Sequence, residues 1–254
     1  INMLARKGAV DHFDTVFCAG QHIIDEMKAT EEHYGLPHKN LIAYGYGFMD
    51  GLIKTCSTDS TIASGDFILL APSHQKDNIL DSCLEPVIEG LKSTGYKVII
   101  RPHPQYIRRY PDKWKRISAQ YASDPQVITE SDFSSNTSIY QAALVVTDWS
   151  NIGYEYSFST LRPVMFVNTP MKVINPDYKE IGVVPIDLSL RSEIGIEVTG
   201  RSADEVAEAA EKLLKTKCFS AEQISEARDR SLFNVGKSDE VGGKYILSRL
   251  SQKK

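Results

Sequence analysis

The stretch Leu144 to Phe158, LVVTDWSNIGYEYSF, constrains the fold more than any other part of the chain. An apolar run stops at Asp148, small polar residues follow, and the pattern resumes as a helix. A short apolar run without alternation reads as a strand buried on both faces, as the strands of parallel sheets are. The turn is then the carboxyl end of such a strand meeting a helix start, where free N–H groups and the helix dipole face a crevice. Asp148, Ser150 and Asn151 occupy that turn, and Glu155 follows about one helical turn later.

The same unit recurs along the chain. Asp14–Ala19 reads as a strand, Gln21–His33 as a helix and Leu41–Tyr46 as the next strand, which together make one βαβ unit with a right-handed crossover. Gly45, Gly47 and Gly51 then break the periodicity, and residues 54–64 are polar and aperiodic, so they are expected to be a linker. Beyond it, strands are expected at Phe67–Ala71, Lys97–Ile100, Val127–Ile128, Leu144–Thr147 and Val164–Val167. Helices are expected over Ile79–Ser93, Asp112–Tyr121 and Asn136–Ala143, from the 148–151 turn to Ser159, and over Ser202–Leu214, Ala221–Arg230 and Gly242–Leu250. Strands alternating with helices at this spacing predict a Rossmann-like, doubly wound parallel α/β sheet.

Composition sets limits on partners. The 254 residues carry a net charge of -4, which gives no global electrostatic case for nucleic acid. Cys18, Cys56, Cys83 and Cys218 form no CxxC pair, so they read as reduced thiols of a cytoplasmic protein rather than a zinc site or disulfide framework. No apolar run approaches the ~18 residues of a membrane span. The chain begins at Ile1 with a pattern that already reads as the interior of a domain, so a fragment of a longer protein is expected.

Three strand ends finish in polar turn residues: Ser73-His74, Arg101-Pro102-His103-Pro104 and Asp148-Trp149-Ser150-Asn151. In a parallel sheet these ends share one edge, so distant residues converge. His103 sits between two prolines, a stiff frame that suits a ligand contact and equally suits a loop histidine bonded to nearby backbone. Arg101 offers a fork that fits phosphate. Asp148 and Ser150 read either as helix caps or as part of a phosphate cradle, and Glu155 either as a ribose ligand or as a solvated carboxylate. Residues 106–116 interleave basic side chains with Tyr106, Tyr110 and Trp114, readable as an anionic-membrane contact or as a solvated helix with aromatic anchors.

With the RPHP loop, the Thr-Asp-Trp-Ser turn leading into an acidic helix, and Arg162-Pro163 before the next strand, the chain resembles the CDP-glycerol glycerophosphotransferase family of teichoic acid and capsule polymerases. Ala71-Pro72-Ser73 is similar to that family's Ala-Pro-Thr turn, and Gly45-Tyr46-Gly47-Phe48-Met49-Asp50 to its interdomain Gly-Tyr-Pro-x-x-Asp; the likeness runs from about residue 11 to 170. Asn151 departs from the family's second serine, and the family's N-terminal His-Gly loop is absent.

The resemblance implies a GT-B architecture. Residues 1–53 would be the last βαβ unit of an acceptor-side domain and 65–254 the nucleotide-donor domain. It implies a transferase that moves an alditol-phosphate or sugar from a donor such as CDP-glycerol to a polymer or lipid-linked acceptor, at the inner face of the plasma membrane. No metal or other cofactor is required on this reading, because helix N–H groups, Arg101 and His103 can balance the diphosphate. Donor-binding residues would be Ser73, Arg101, His103, Asp148, Ser150, Asn151 and Glu155, with His103 the catalytic candidate and the acceptor-side base missing from this incomplete unit. The alternatives are a sugar-nucleotide 2-epimerase relative and a nucleotide-binding module without catalysis.

Overall fold

A computed structural model of the chain describes residues 6–58, 65–216 and 218–251. It divides into two compact units, one of residues 1–58, 173–190 and 225–254, the other of residues 59–172 and 191–224. The first unit is therefore discontinuous and includes C-terminal residues that the sequence reading assigns to the donor domain.

In the first unit β1 (Thr15–Cys18) and β2 (Asn40–Ala43) pair in parallel, with Thr15 opposite Asn40. The helix Gln21–Tyr34 connects them and ends on Gly35, whose left-handed backbone lets its N–H return to the carbonyls of Glu31 and Glu32. The glycine-rich segment after β2 is helical from Gly47 to Thr58, where the sequence predicts a break and then a linker. Residues 54–58 thus belong to a helix, and residues 59–64 lie outside the described residues. The helix is anchored through Asp50, whose carboxylate accepts from the N–H groups of Gly236 at 2.7 Å and Ser238 at 2.9 Å. Gly45 has φ +104, and a Cβ there would stand 2.3 Å from Ser238 Oγ, so only glycine fits the approach.

The second unit holds a six-stranded parallel sheet in the order β5-β4-β3-β6-β7-β8. Its strands are β3 (Phe67–Leu70), β4 (Lys97–Ile100), β5 (Val127–Thr129), β6 (Leu144–Thr147), β7 (Val164–Val167) and β8 (Gly195–Val198). The doubly wound α/β architecture expected from the sequence is what forms. β6 and β7 are buried along their whole length, which is why their sequences are apolar apart from Thr147 at the end of β6. On one face Ile68, Leu70, Val98, Ile100 and Val146 pack against Val87, Ile88 and Leu91 of the helix Leu84–Lys92 and Val206 and Leu213 of Ala203–Lys215. Each such aliphatic side chain contributes about 1.5–3 kcal/mol on burial. Gly90 allows the two helices to touch, since a Cβ there would lie 2.4 Å from the Ala203 carbonyl.

One expectation in this unit fails and one element is unforeseen, each for an identifiable reason. The helix predicted over Ile79–Ser93 is two, Ile79–Ser82 and Leu84–Lys92, broken at Cys83 with φ -153 and ψ 28. Pro86 has no N–H for the Ser82 carbonyl and its ring would crowd that group, so a continuous helix is disfavoured there. The edge strand β8, sequence GIEV, is absent from the expected strands because Gly195 and Glu197 interrupt its apolar pattern; Gly195 lets it approach β7, as a Cβ there would stand 2.1 Å from the Val164 carbonyl.

Candidate functional site

β3 lies between β4 and β6, so the chain first winds outward from β3 and later returns on its other side. That reversal opens a crevice at the strands' carboxyl ends, where ligands of open α/β sheets bind. The three polar turns singled out in the sequence follow β3, β4 and β6, the adjacent strands at this point.

The turns after β3 and β6 are clipped by Asp148. Its Oδ1 accepts from the N–H of Ser73 and from its neighbour Trp149, both at 2.7 Å, and Oδ2 faces the Thr169 hydroxyl at 3.4 Å. Asp148 is 2 % exposed, so its carboxylate builds the wall of the crevice rather than lining an open surface. Thr147 Oγ1 adds a bond to the Ala71 carbonyl at 2.7 Å. Asn78 closes the loop after β3: its Nδ2 donates to the Ser73 carbonyl at 2.8 Å while its Oδ1 caps the next helix through Leu80 N–H. Ser73 Oγ is buried without a hydrogen-bond partner, an uncommon state for a hydroxyl at the edge of a polar crevice.

The turns after β3 and β4 meet through imidazoles. His74 and His103 have ring centroids 4.5 Å apart. Pro104 holds the preceding His103 extended (φ -60, ψ 139), so the histidine caps the helix Pro104–Arg109 with its Nδ1 accepting from Gln105 N–H at 3.0 Å. An accepting Nδ1 leaves the proton of the neutral ring on Nε2, which is therefore a donor. Burial, then the positive charges of Lys172 and Arg109, lower the His103 pKa, so the neutral ring prevails. His74 is pushed down to about 4 by burial first, then by His103, Lys172 and Arg109. These effects describe a pocket with a positive potential and two neutral imidazoles.

The helix Ile152–Thr160 starts directly after the β6 turn. Asn151 stands at its N-cap with φ -61 and ψ -20 and makes no side-chain cap, and Ser150 is half-buried. Gly153 lets the helix lie close on the sheet, since a Cβ would come within 3.0 Å of both Phe166 and Thr147 side-chain atoms. Glu155 is half-buried in the first turn, its N–H donating to the Asn151 carbonyl at 2.9 Å.

Arg101 does not face this crevice. Nη1 donates to Glu130 Oε2 at 2.8 Å and Ser138 Oγ at 3.1 Å, and Nη2 to the Ser135 carbonyl at 2.9 Å. With 6 % exposure and its guanidinium over the Phe133 ring, it fastens the loop after β5 instead of offering a phosphate fork. The membrane reading of 106–116 loses its aromatic part for a similar reason: Tyr106 and Trp114 are buried in the core. Arg108, Arg109, Lys115 and Arg116 stay exposed, while Lys113 pairs with Asp81 at 2.7 Å. Sequence reasoning placed His74 in a turn but gave it no role, and it missed Lys172 and Arg191, which sit in segments without periodicity.

Among the described residues no group of three or more His, Cys, Asp and Glu is placed to hold a metal ion, and no helix is long and apolar enough to cross a membrane. A hollow of about 620 Å³ in the first unit is lined by Lys28, Glu31, Glu32, His38 and Lys39 among others, and none of the expected site residues belongs to it.

No protein-family model and no curated protein matches the sequence. Solved structures do match in fold. The UDP-GlcNAc 2-epimerase of Methanocaldococcus jannaschii, in complex with UDP-GlcNAc and UDP, is 17 % identical with TM-score 0.56, over 94 % of this chain and 61 % of its own. The wall teichoic acid polymerase TagF, soaked with CDPG, is 15 % identical with TM-score 0.58, over 96 % and 59 %. The UDP-GlcNAc 2-epimerase of Neisseria meningitidis, bound to UDP-GlcNAc, is 13 % identical with TM-score 0.53, over 96 % and 67 %. These likenesses show a GT-B-like fold, and the chain spans about three fifths of the length of the first two.

Proposed function

We propose that the second unit binds the diphosphate of a nucleotide-activated donor, and that the chain is part of a transferase passing an alditol-phosphate or sugar group to a cell-surface polymer acceptor. The observation that carries this is the convergence of the β3, β4 and β6 ends: His74 against His103, and Ser73 tied to Asp148, at the point where the strand order reverses. Nucleotide-related neighbours of the same fold support it.

In this reading His103 Nε2–H and the helix-start N–H groups at Ser150 and Asn151 bind the phosphates, and Glu155 binds the ribose. Asp148 positions the turn without touching the ligand. When an acceptor hydroxyl attacks the phosphorus that carries the alditol, the phosphoanhydride bond breaks and negative charge grows on the departing nucleoside monophosphate; attack at an anomeric carbon instead places it on a departing nucleoside diphosphate. Fixed donors in a positive pocket stabilise that charge without reorganising. His103, as a neutral imidazole, donates a hydrogen bond to it and is the catalytic candidate. The base that accepts the hydroxyl proton is outside this set, and no metal is invoked.

The 2-epimerase reading is favoured by one specific observation, the second imidazole of His74 beside His103, since epimerisation needs paired acid–base groups. Calorimetry with CDP, CDP-glycerol, UDP and UDP-GlcNAc separates alditol-phosphate transfer from the sugar-nucleotide readings. The transferase reading expects the cytidine ligands to bind more tightly, with a loss of about tenfold in His103→Ala and in Glu155→Ala, the scale of one hydrogen bond to a charged group. Preference for UDP-GlcNAc moves the assignment to a sugar transferase or to the epimerase, and no binding by any nucleotide refutes the shared premise.

A further inference from the structure

Asp148 poses an electrostatic problem for a phosphate site. Its buried carboxylate is held by neutral donors, the Ser73 and Trp149 N–H groups and the Thr169 hydroxyl. A negative wall next to the helix start opposes a dianionic ligand. Directly behind the same turn lies Arg191, 1 % exposed. Its Nη2 donates to the Asp148 carbonyl at 3.2 Å and its Nη1 to Asn168 Oδ1 at 3.1 Å. The guanidinium lies 4.2 Å from the Trp149 ring centroid and 4.6 Å from that of Phe166, with Glu197 at 3.5 Å.

We infer that Arg191 is a positioning residue of the diphosphate site: it holds the 148–151 turn from behind and supplies the fixed positive charge that offsets Asp148 there. The inference rests on the diphosphate reading above. Two features of the geometry support it. The bonded Asp148 carbonyl shares its peptide with the Trp149 N–H, so the guanidinium polarises the group that Asp148 Oδ1 accepts from. The Trp149 and Phe166 rings also shut Arg191 away from water, so its charge is weakly screened. Glu197, whose Oε2 stands 3.5 Å from Nη1, is 37 % exposed on its side chain and is more strongly screened by solvent.

A merely structural arginine and a field-setting one differ in how their loss depends on ligand charge. Binding of cytidine and uridine, their monophosphates and their diphosphates is measured on wild type, Arg191→Gln and Arg191→Lys, with circular dichroism to check folding. Arg191→Gln is expected to weaken diphosphate about tenfold and nucleoside less than twofold, with monophosphate between. Arg191→Lys, which keeps the charge, should stay within about threefold for all. Equal losses across the series, or no loss, overturn the inference. Should Arg191→Gln not fold, Glu197→Gln, altering a half-exposed partner, is expected to tighten diphosphate two- to threefold and leave nucleoside unchanged; an unchanged diphosphate affinity overturns it. Wild-type protein that binds no diphosphate refutes the underlying reading instead, so the two failures are distinguishable.

Discussion

Replacing Asp148 tests the architecture of the crevice most directly. Asp148 Oδ1 takes two backbone N–H bonds at 2.7 Å, and its side chain is almost entirely buried. A hydrogen bond to a charged group contributes about 1.5–3 kcal/mol, so Asp148→Ala should cost roughly 3–6 kcal/mol and leave two buried N–H groups without acceptors. Asp148→Asn keeps an acceptor at Oδ1 and can turn its amide toward the Thr169 hydroxyl. Its bonds become neutral, at about 0.5–1.5 kcal/mol each instead of about 1.5–3, so the expected cost is roughly 2–3 kcal/mol. Urea unfolding followed by tryptophan fluorescence reports on the site itself, because Trp149 is the adjacent residue. In a domain of this size each kcal/mol lowers Tm by about 2–4 °C, so the alanine variant should melt at least ~6 °C below wild type. An alanine variant destabilised by less than ~1 kcal/mol, or an asparagine variant worse than alanine, would refute the reasoning that this carboxylate clips the β3 and β6 ends together.

Two other outcomes follow from the same geometry. His74 has a pKa of about 4 in the folded chain against an ordinary value of 6.5, so the unfolded chain binds more protons between those values. Its contribution to stability is complete above pH 6.5 and is lost as pH falls toward 4; Tm profiles from pH 7.5 to 4.5 should therefore be steeper for wild type than for His74→Gln, and parallel profiles would contradict the burial argument. Arg101→Met should lower stability by about 1–3 kcal/mol through the loop after β5 while changing nucleotide affinity less than twofold, and a selective loss of diphosphate binding would return Arg101 to the crevice.

The convergence of the three turns was legible because parallel strands put their carboxyl ends on one edge whatever lies between them. The apolar runs at 67–70, 98–100 and 144–146 are unmixed enough to be read singly. Direction is a different matter. Arg101 follows its strand by one residue, as Asp148 does, yet a carboxylate and an amide around Glu130, Ser135 and Asn136 draw it aside. Those partners lie 29 to 35 residues away, beyond any local pattern. The aromatics of 106–116 failed likewise: the segment spans the end of one helix and the start of another, Pro111–Tyr121, and only the core they meet decides which side is wet.

By itself, then, the chemistry of the sequence determined a doubly wound sheet and the strand ends that could bear ligand groups, because these depend on neighbours within about ten residues. The tertiary structure alone decided that His74 faces His103, that Asp148 is a clip, and that Arg191 sits behind it. Each of those is a contact between segments brought together by strand order, and long-range electrostatics in a buried site follow positions in space rather than along the chain.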